Sequence, residues 1–475
     1  MDRLNRIEAL KTSLRKRILV IDGAMGTSIQ DRNLSPDDFG GQEHEGCNEY
    51  LVITRPDVIA DIHQEFLDAG ADILETNTFG AISVVLAEYG LAHEARHINF
   101  EEARLARRLA DAAGTADKPR FVAGSMGPTT KSISVTGGIT FEELAEAYRQ
   151  QAAGLIEGGV DVLVLETCQD TLNVKAGLEG IDRARADLGW EIPVAVQGTI
   201  EPMGTLLAGQ DAEAFYTSLA HRDLLWTGFN CATGPEFMTD HIRTLAGLSR
   251  FPVSCVPNAG LPDEDGNYNE TPEMLSCTLG RFVDAGWVNV LGGCCGTGIE
   301  HIRLLTQLAA GKRARKPAGT RDTRISGLDA LVIDQNTRPA LVGERTNVLG
   351  SRRFRRLIAR GAFEEAAEVG RHQVRTGAHL LDVCLQDPDR DEAADMMAFL
   401  DLLTKKIKVP VMIDSTDEGV IEEALKRLQG KSVINSINLE DGETRFQAVV
   451  PLVRRYGAAL VVGCIDEDKE QAQAV

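Results

Sequence analysis

Over the first 300 residues, short apolar β-rich runs alternate with amphipathic helical stretches, and this alternation constrains the fold more than any other feature. The runs are 17–22, 72–75, 120–124, 161–166, 193–197, 227–230, 252–256 and 287–291. Helical patterns at 56–69, 92–113, 140–158 and 211–222 lie between several of them. Strands separated by helices imply parallel βα units, because a parallel neighbour needs a crossover connection. Eight units predict an α/β fold, a (β/α)8 TIM barrel spanning 1–310. A doubly wound open sheet is the main alternative.

Strand ends favour the barrel. Asp22-Gly-Ala-Met-Gly-Thr27, Glu75-Thr-Asn-Thr78, Ser125-Met-Gly-Pro-Thr129, Glu166-Thr-Cys-Gln-Asp170, Asn230-Cys231, Asn258 and Cys294-Cys295 all follow predicted strands. In barrels the active site is built from loops at the carboxyl ends of the strands. These polar groups would converge on one mouth.

The pattern changes at 311–337, which is polar, basic and without helical period, and reads as a linker. New strand candidates follow at 340–343, 379–383, 410–414, 432–437 and 459–464. They predict a second parallel domain over 338–475. A closed barrel takes about 250 residues, so this second barrel is expected to be incomplete.

The net charge is −21 with no basic stripe, which argues against nucleic acid and anionic membrane as partners. The amino end is a charged amphipathic helix rather than an export signal, and no apolar run nears the roughly 20 residues that span a bilayer. Nine cysteines in such a chain predict free thiols in a cytoplasmic protein.

Cys294 and Cys295 sit in Gly292-Gly-Cys-Cys-Gly-Thr297. Neighbouring cysteines reach disulfide geometry only with strain, so metal ligation suits them better. Cys231, closing the sixth strand, supplies a third thiolate. Three thiolates with an open fourth position is the catalytic pattern for zinc. The bland alternative is buried core cysteine; the remaining six cysteines are read as core or loop residues, Cys168 standing apart through its place at a strand end.

These motifs, with Gly46-Cys-Asn-Glu-Tyr-Leu51, resemble the homocysteine-binding domain of the cobalamin-dependent methionine synthase family. The resemblance implies that Cys231, Cys294 and Cys295 hold Zn2+ and that the open position takes the sulfur of homocysteine. It implies that Asp22 and Glu166 hold the substrate ammonium. Asn230, Ser125, Thr129 and the backbone of 22–27 are weaker candidates for its carboxylate.

Gly343-Glu-Arg-Thr-Asn347, Asp382, Asp414-Ser415 and Asn435-Ser436 resemble the pterin-binding barrel of folate-dependent methyltransferases and dihydropteroate synthases. By that resemblance Asp414 and Asn435 grip a pterin ring, with Glu344, Asn347 and Asp382 close to it. Carboxylate and amide groups suit the adjacent donors and acceptors of the ring. Asp382-Val-Cys384 departs from the family's usual Asp-Val-Asn.

A cobalamin module carries Asp-x-His-x-x-Gly, whereas Asp61-Ile-His63 is followed by Gln-Glu-Phe within a helical pattern. The resemblance therefore implies methyl transfer to homocysteine from methylcobalamin on a separate module or protein, with 5-methyltetrahydrofolate as the ultimate donor. Two other readings stand beside it. One is a cobalamin-independent methyltransferase using S-methylmethionine or betaine; the other is a non-catalytic fragment that binds zinc and homocysteine.

Overall fold

The computed structural model describes residues 1–465 apart from 265, 318, 320, 321 and 441. They form two compact units, Met1–Leu207 with Asp223–Thr320, and Ala208–Arg222 with the residues from 321 onward.

The first unit is an eight-stranded parallel sheet. Its strands are β1 (Leu19–Val20), β2 (Ile73–Glu75), β3 (Phe121–Met126), β4 (Val162–Cys168), β5 (Val194–Gly198), β6 (Thr227–Asn230), β7 (Val253–Val256) and β8 (Val290–Leu291). Neighbours run in sequence order from β2 to β8, and β8 then pairs with β1 in parallel. A parallel bridge between Ile21 and Ile73 completes the circle. The order is that of a barrel and excludes the open sheet, in which the order would reverse at a switch point.

Strands buried on both faces explain the continuous apolar runs; every residue of β3, β4 and β5 is buried. The amino-terminal helix Arg3–Lys16 packs Leu10 and Leu14 into one core with Leu19, Phe121, Val162 and Trp226. Arg6 holds it there through Asp161, at the start of β4, at 2.8 Å. Asp161 also accepts from Arg107 at 2.6 Å.

Two strands are shorter than their sequence runs. The amide of Trp287 closes the preceding helix onto Phe282 at 3.0 Å, so β8 begins only at Val290. Arg17 forms an isolated bridge to Arg313 instead of extending β1. Conversely β3 runs on through Ser125 and Met126, paired to Val164 and Leu165.

The second unit holds five parallel strands in sequence order, β11 (Val342–Asn347), β12 (Leu380–Cys384), β13 (Val411–Asp414), β14 (Val433–Ile437) and β15 (Ala459–Val462). The stretch read as linker is not structureless. It contains an antiparallel hairpin of β9 (Thr323–Ser326) and β10 (Ala330–Ile333). The hairpin forms because Ile325 buries against Leu380 and Val433, a contact the local polar composition conceals. Among the described residues no helix is long and apolar enough to cross a membrane.

Candidate metal centre and substrate pocket

Cys231 directly follows β6, and Cys294 and Cys295 follow β8 by three and four residues. Their three sulfurs lie within 4.8 Å of one another, and Cys231 Sγ is 3.9 Å from Cys295 Sγ. Backbone pairing fixes the loops. Cys231 N–H donates to Val256 O at 3.1 Å, Cys294 N–H to Pro257 O at 2.8 Å, and Ala259 N–H to Cys295 O at 2.9 Å.

Cys231 and Ala232 adopt left-handed backbone angles, φ 61° and 58°, which turn the chain sharply at the strand end. The glycines around the paired cysteines are required by space. A Cβ on Gly293 would sit 2.3 Å from Thr297 Oγ1, and one on Gly296, at φ +77°, would sit 2.3 Å from the Tyr268 Cβ.

A tetrahedral zinc with Zn–S of about 2.3 Å sets sulfur–sulfur separations of about 3.8 Å. The 3.9 Å separation of Cys231 and Cys295 therefore fits such an ion. Hydrogen bonds from Cys231, Cys294 and Tyr268 hold the Cys295 thiol down to about 3, so an anionic sulfur is already favoured there. All nine cysteines are free.

A cavity of about 240 Å³ opens beside the thiols, lined by Asp22, Glu75, Asn77, Ser125 and Glu166 among others. Glu166 accepts from Ser125 Oγ and, at 3.0 Å, from Asn230 Nδ2. Asp22 Oδ2 accepts from the Glu75 amide at 3.1 Å. Among the described residues Asp22 Oδ1 and Glu75 Oε1 are buried without a hydrogen-bond partner.

Burial governs the charge here. It pushes Asp22 up to about 7, opposed by the nearby His63, and Glu166 up to about 7, opposed by the Ser125 and Asn230 hydrogen bonds. Glu75 is raised well above the usual carboxylate range by burial and then by its two acidic neighbours. Three carboxyl groups thus face one cavity, and a cationic group entering it would meet the negative charge that burial otherwise suppresses.

The structure brings Cys231, Cys294, Cys295, Asp22, Glu166, Asn230 and Ser125 together, but not Thr129. The Thr129 hydroxyl bonds the Lys131 carbonyl, and its side chain lines a separate small cleft with Cys168 and Asp170. The strand geometry accounts for this, since β3 ends at Met126 and the loop then leaves the mouth. Glu75 and Asn77, noted in the sequence as a strand-end motif but given no role there, also line the cavity. Their place after β2 was the available signal. His63 is buried in the helix Pro56–Ala69 and bonds Glu102 at 2.7 Å, while Glu102 also accepts the Asn77 amide at 3.0 Å.

In the second unit Asn347 and Asp414 close β11 and β13, and Asp382 and Asn435 sit within β12 and β14, two residues before their ends. Asn347 Nδ2 donates to Asp382 at 3.1 Å and to Asp414 at 3.3 Å. Asn435, close to Asp382, opposes the rise in the Asp382 pKa that burial causes. Burial, then the charge of Asp382, pushes Asp414 up to about 6. Glu344, exposed on β11, adds negative charge near both.

The fold and site define a (β/α)8 barrel with a thiol-rich centre beside an acidic substrate cavity. The family model described as homocysteine S-methyltransferase matches residues 19–309, more than half of the chain. The one described as pterin binding enzyme matches residues 343–475. Among solved structures the chain is similar to the homocysteine methyltransferase MmuM from Escherichia coli. The metallated form is 22% identical with a TM-score of 0.50, over 64% of this chain and 99% of that one. The oxidised form is 20% identical with a TM-score of 0.50, over 65% and 99%. At this identity the likeness concerns the fold. The chain belongs to the homocysteine S-methyltransferase family.

Proposed function

We propose that the first unit transfers a methyl group to the sulfur of homocysteine, giving methionine, with Cys231, Cys294 and Cys295 as ligands of a zinc ion. The convergence of three sulfurs within 4.8 Å at the wall of an acidic cavity carries the reading. Zinc held there supplies a Lewis acid that keeps the substrate sulfur deprotonated at neutral pH, where a free thiol is mostly protonated.

The remaining chemistry falls to the chain. Asp22 and Glu166 bind the substrate ammonium, which supplies the positive charge that draws both into their ionised forms. Asn230 and Ser125 keep the Glu166 carboxylate aimed into the cavity. The sulfur attacks the donor's methyl carbon. The new S–C bond forms as the bond from the methyl to the donor breaks, and its electron pair stays with the donor.

The pterin-binding match and the Asn347–Asp382–Asp414–Asn435 cluster support 5-methyltetrahydrofolate as the ultimate donor. On this reading methylcobalamin is the immediate donor and arrives on a separate module. His63, the only histidine of the Asp61-Ile-His63 segment, is already engaged by Glu102 in a buried helix. The test is methionine formation by zinc-loaded chain with methylcobalamin, S-methylmethionine or betaine. Turnover with methylcobalamin supports the proposal. Turnover with only S-methylmethionine or betaine transfers the activity to the cobalamin-independent class, and no methionine from any donor refutes catalysis.

A further inference from the structure

His63 is a buried titratable group that the proposed chemistry leaves unused. It lies fully buried on the helix Pro56–Ala69, which connects β1 to β2. Phe66, three residues on, shares its face of the helix. A Cβ on Gly23 would lie 2.8 Å from Phe66 Cε1, so this face packs against the backbone next to Asp22.

Two carboxyl groups act on the imidazole. Glu102, on the helix Ala95–Ala113 and equally buried, bonds Nε2 at 2.7 Å. The same Glu102 oxygen accepts the Asn77 amide at 3.0 Å, which ties it to the end of β2. An oxygen that accepts both bonds makes Nε2 a donor. The second group is Asp22. Its Oδ2 takes the Glu75 amide, while Asp22 Oδ1 and His63 Nδ1 are both buried without a hydrogen-bond partner among the described residues.

Their charges are linked. Burial opposes protonation of His63, yet the Glu102 bond and charge, and then Asp22, hold its pKa above the ordinary value. Asp22 is pushed up by burial and drawn down by His63, while Glu166 on β4 pushes it up again. Glu75, at the end of β2, completes the acidic set and is itself raised by burial, Glu166 and Asp22. Of the charges that bear most on Asp22, His63 alone is cationic. A buried carboxyl group among others tends to take up a proton, and a protonated Asp22 offers an ammonium no negative charge.

We propose that His63 is a positioning residue for the substrate ammonium: protonated and held by Glu102, it keeps Asp22 ionised in the interior. This rests on the assignment of Asp22 to the ammonium made above, and adds the group that sustains its charge.

The test is calorimetric binding of homocysteine, and of 4-mercaptobutyrate, the same thiol acid without the ammonium, to the zinc-loaded full chain from pH 6 to 8.5. His63→Gln keeps a donor for Glu102 but carries no charge. If it moves Asp22 up by about one unit, homocysteine should bind about fivefold more weakly at pH 7, with Asp22 about one-tenth instead of about one-half ionised. The deficit should nearly vanish at pH 8.5, and 4-mercaptobutyrate should bind both chains alike. In an Asp22→Asn background His63→Gln should add nothing, as for two residues acting as one. Glu102→Gln still accepts from Nε2 and the Asn77 amide. It should weaken homocysteine binding in the same direction, and it serves as the test if His63→Gln does not fold. Unchanged homocysteine binding in both variants, with Asp22→Asn still weakening it, overturns the role of His63 and leaves the ammonium site standing. Normal binding by Asp22→Asn overturns both. Equal losses for the two ligands, or a loss that does not vary with pH, show a packing defect and overturn the proposal as well.

Discussion

Asn230 donates to Glu166 through Nδ2 at 3.0 Å and accepts the Thr167 amide through Oδ1 at 2.7 Å, one residue before Cys231. A single amide thereby couples the carboxylate expected to hold the substrate ammonium to the strand end that presents a thiol. Asn230→Ala should leave the Thr167 amide and Glu166 short of partners. The expected cost is about 1–3 kcal/mol in stability, with a raised KM for homocysteine and zinc still bound. Denaturant melts, metal analysis and kinetics on one preparation check all three.

Metal content should separate the cysteines into two groups. Cys295→Ala leaves two thiols where three lay within 4.8 Å, so zinc per chain should fall well below one and methyl transfer should be lost. Cys277→Ala removes an exposed thiol outside that group and should retain both. Plasma mass spectrometry of dialysed protein decides the matter; full zinc occupancy in Cys295→Ala would refute the centre.

The buried carboxyl groups of the pocket should make stability depend on pH. Asp22, at about 7, lies above its ordinary value near 4. Between those values the native state binds more protons than the unfolded chain, so stability falls as pH rises from about 4 to 7 and levels off above. Asp22→Asn removes this ionisation cost. The variant should therefore melt higher than the unaltered chain at pH 8, and closer to it at pH 5, while homocysteine binding weakens. Melting curves of substrate-free protein across that range test the sign.

Asp161 has a purely structural prediction. Its buried carboxylate accepts from Arg6, from Arg107 and from the Val122 amide at 3.0 Å. Asp161→Ala removes the carboxylate partner of the Arg6 guanidinium and leaves Arg107 only Asp111, and a broken buried pair costs about 3–5 kcal/mol. Urea unfolding should show a loss of that order. Zinc binding by the fraction that stays folded should be unchanged, because the pair lies at the opposite end of β4 from Glu166.

The barrel was legible because its evidence is local. Each strand announces itself as an apolar β-rich run, and each polar residue at a strand end inherits its position from the pleat and the chain direction. That logic placed Asp22, Glu166, Asn230 and the three cysteines at one mouth. It failed for Thr129, because β3 ends at Met126 and no local signal says which way a loop then turns. It also passed over the hairpin at Thr323–Ser326 and Ala330–Ile333, whose apolar partners Leu380 and Val433 are far along the chain.

The sequence by itself determined the succession of strands and helices, the strand ends and the residue types found there, since periodicity and chain connectivity act over short spans. Only the tertiary structure decided which of those groups share one cavity and in what state of charge. Glu75 stands between Asp22 and Glu166 without a partner for Oε1, and its raised pKa arises from burial and from two neighbours on other strands. Desolvation and Coulomb interaction depend on distances through space, and those exist only once the barrel has closed.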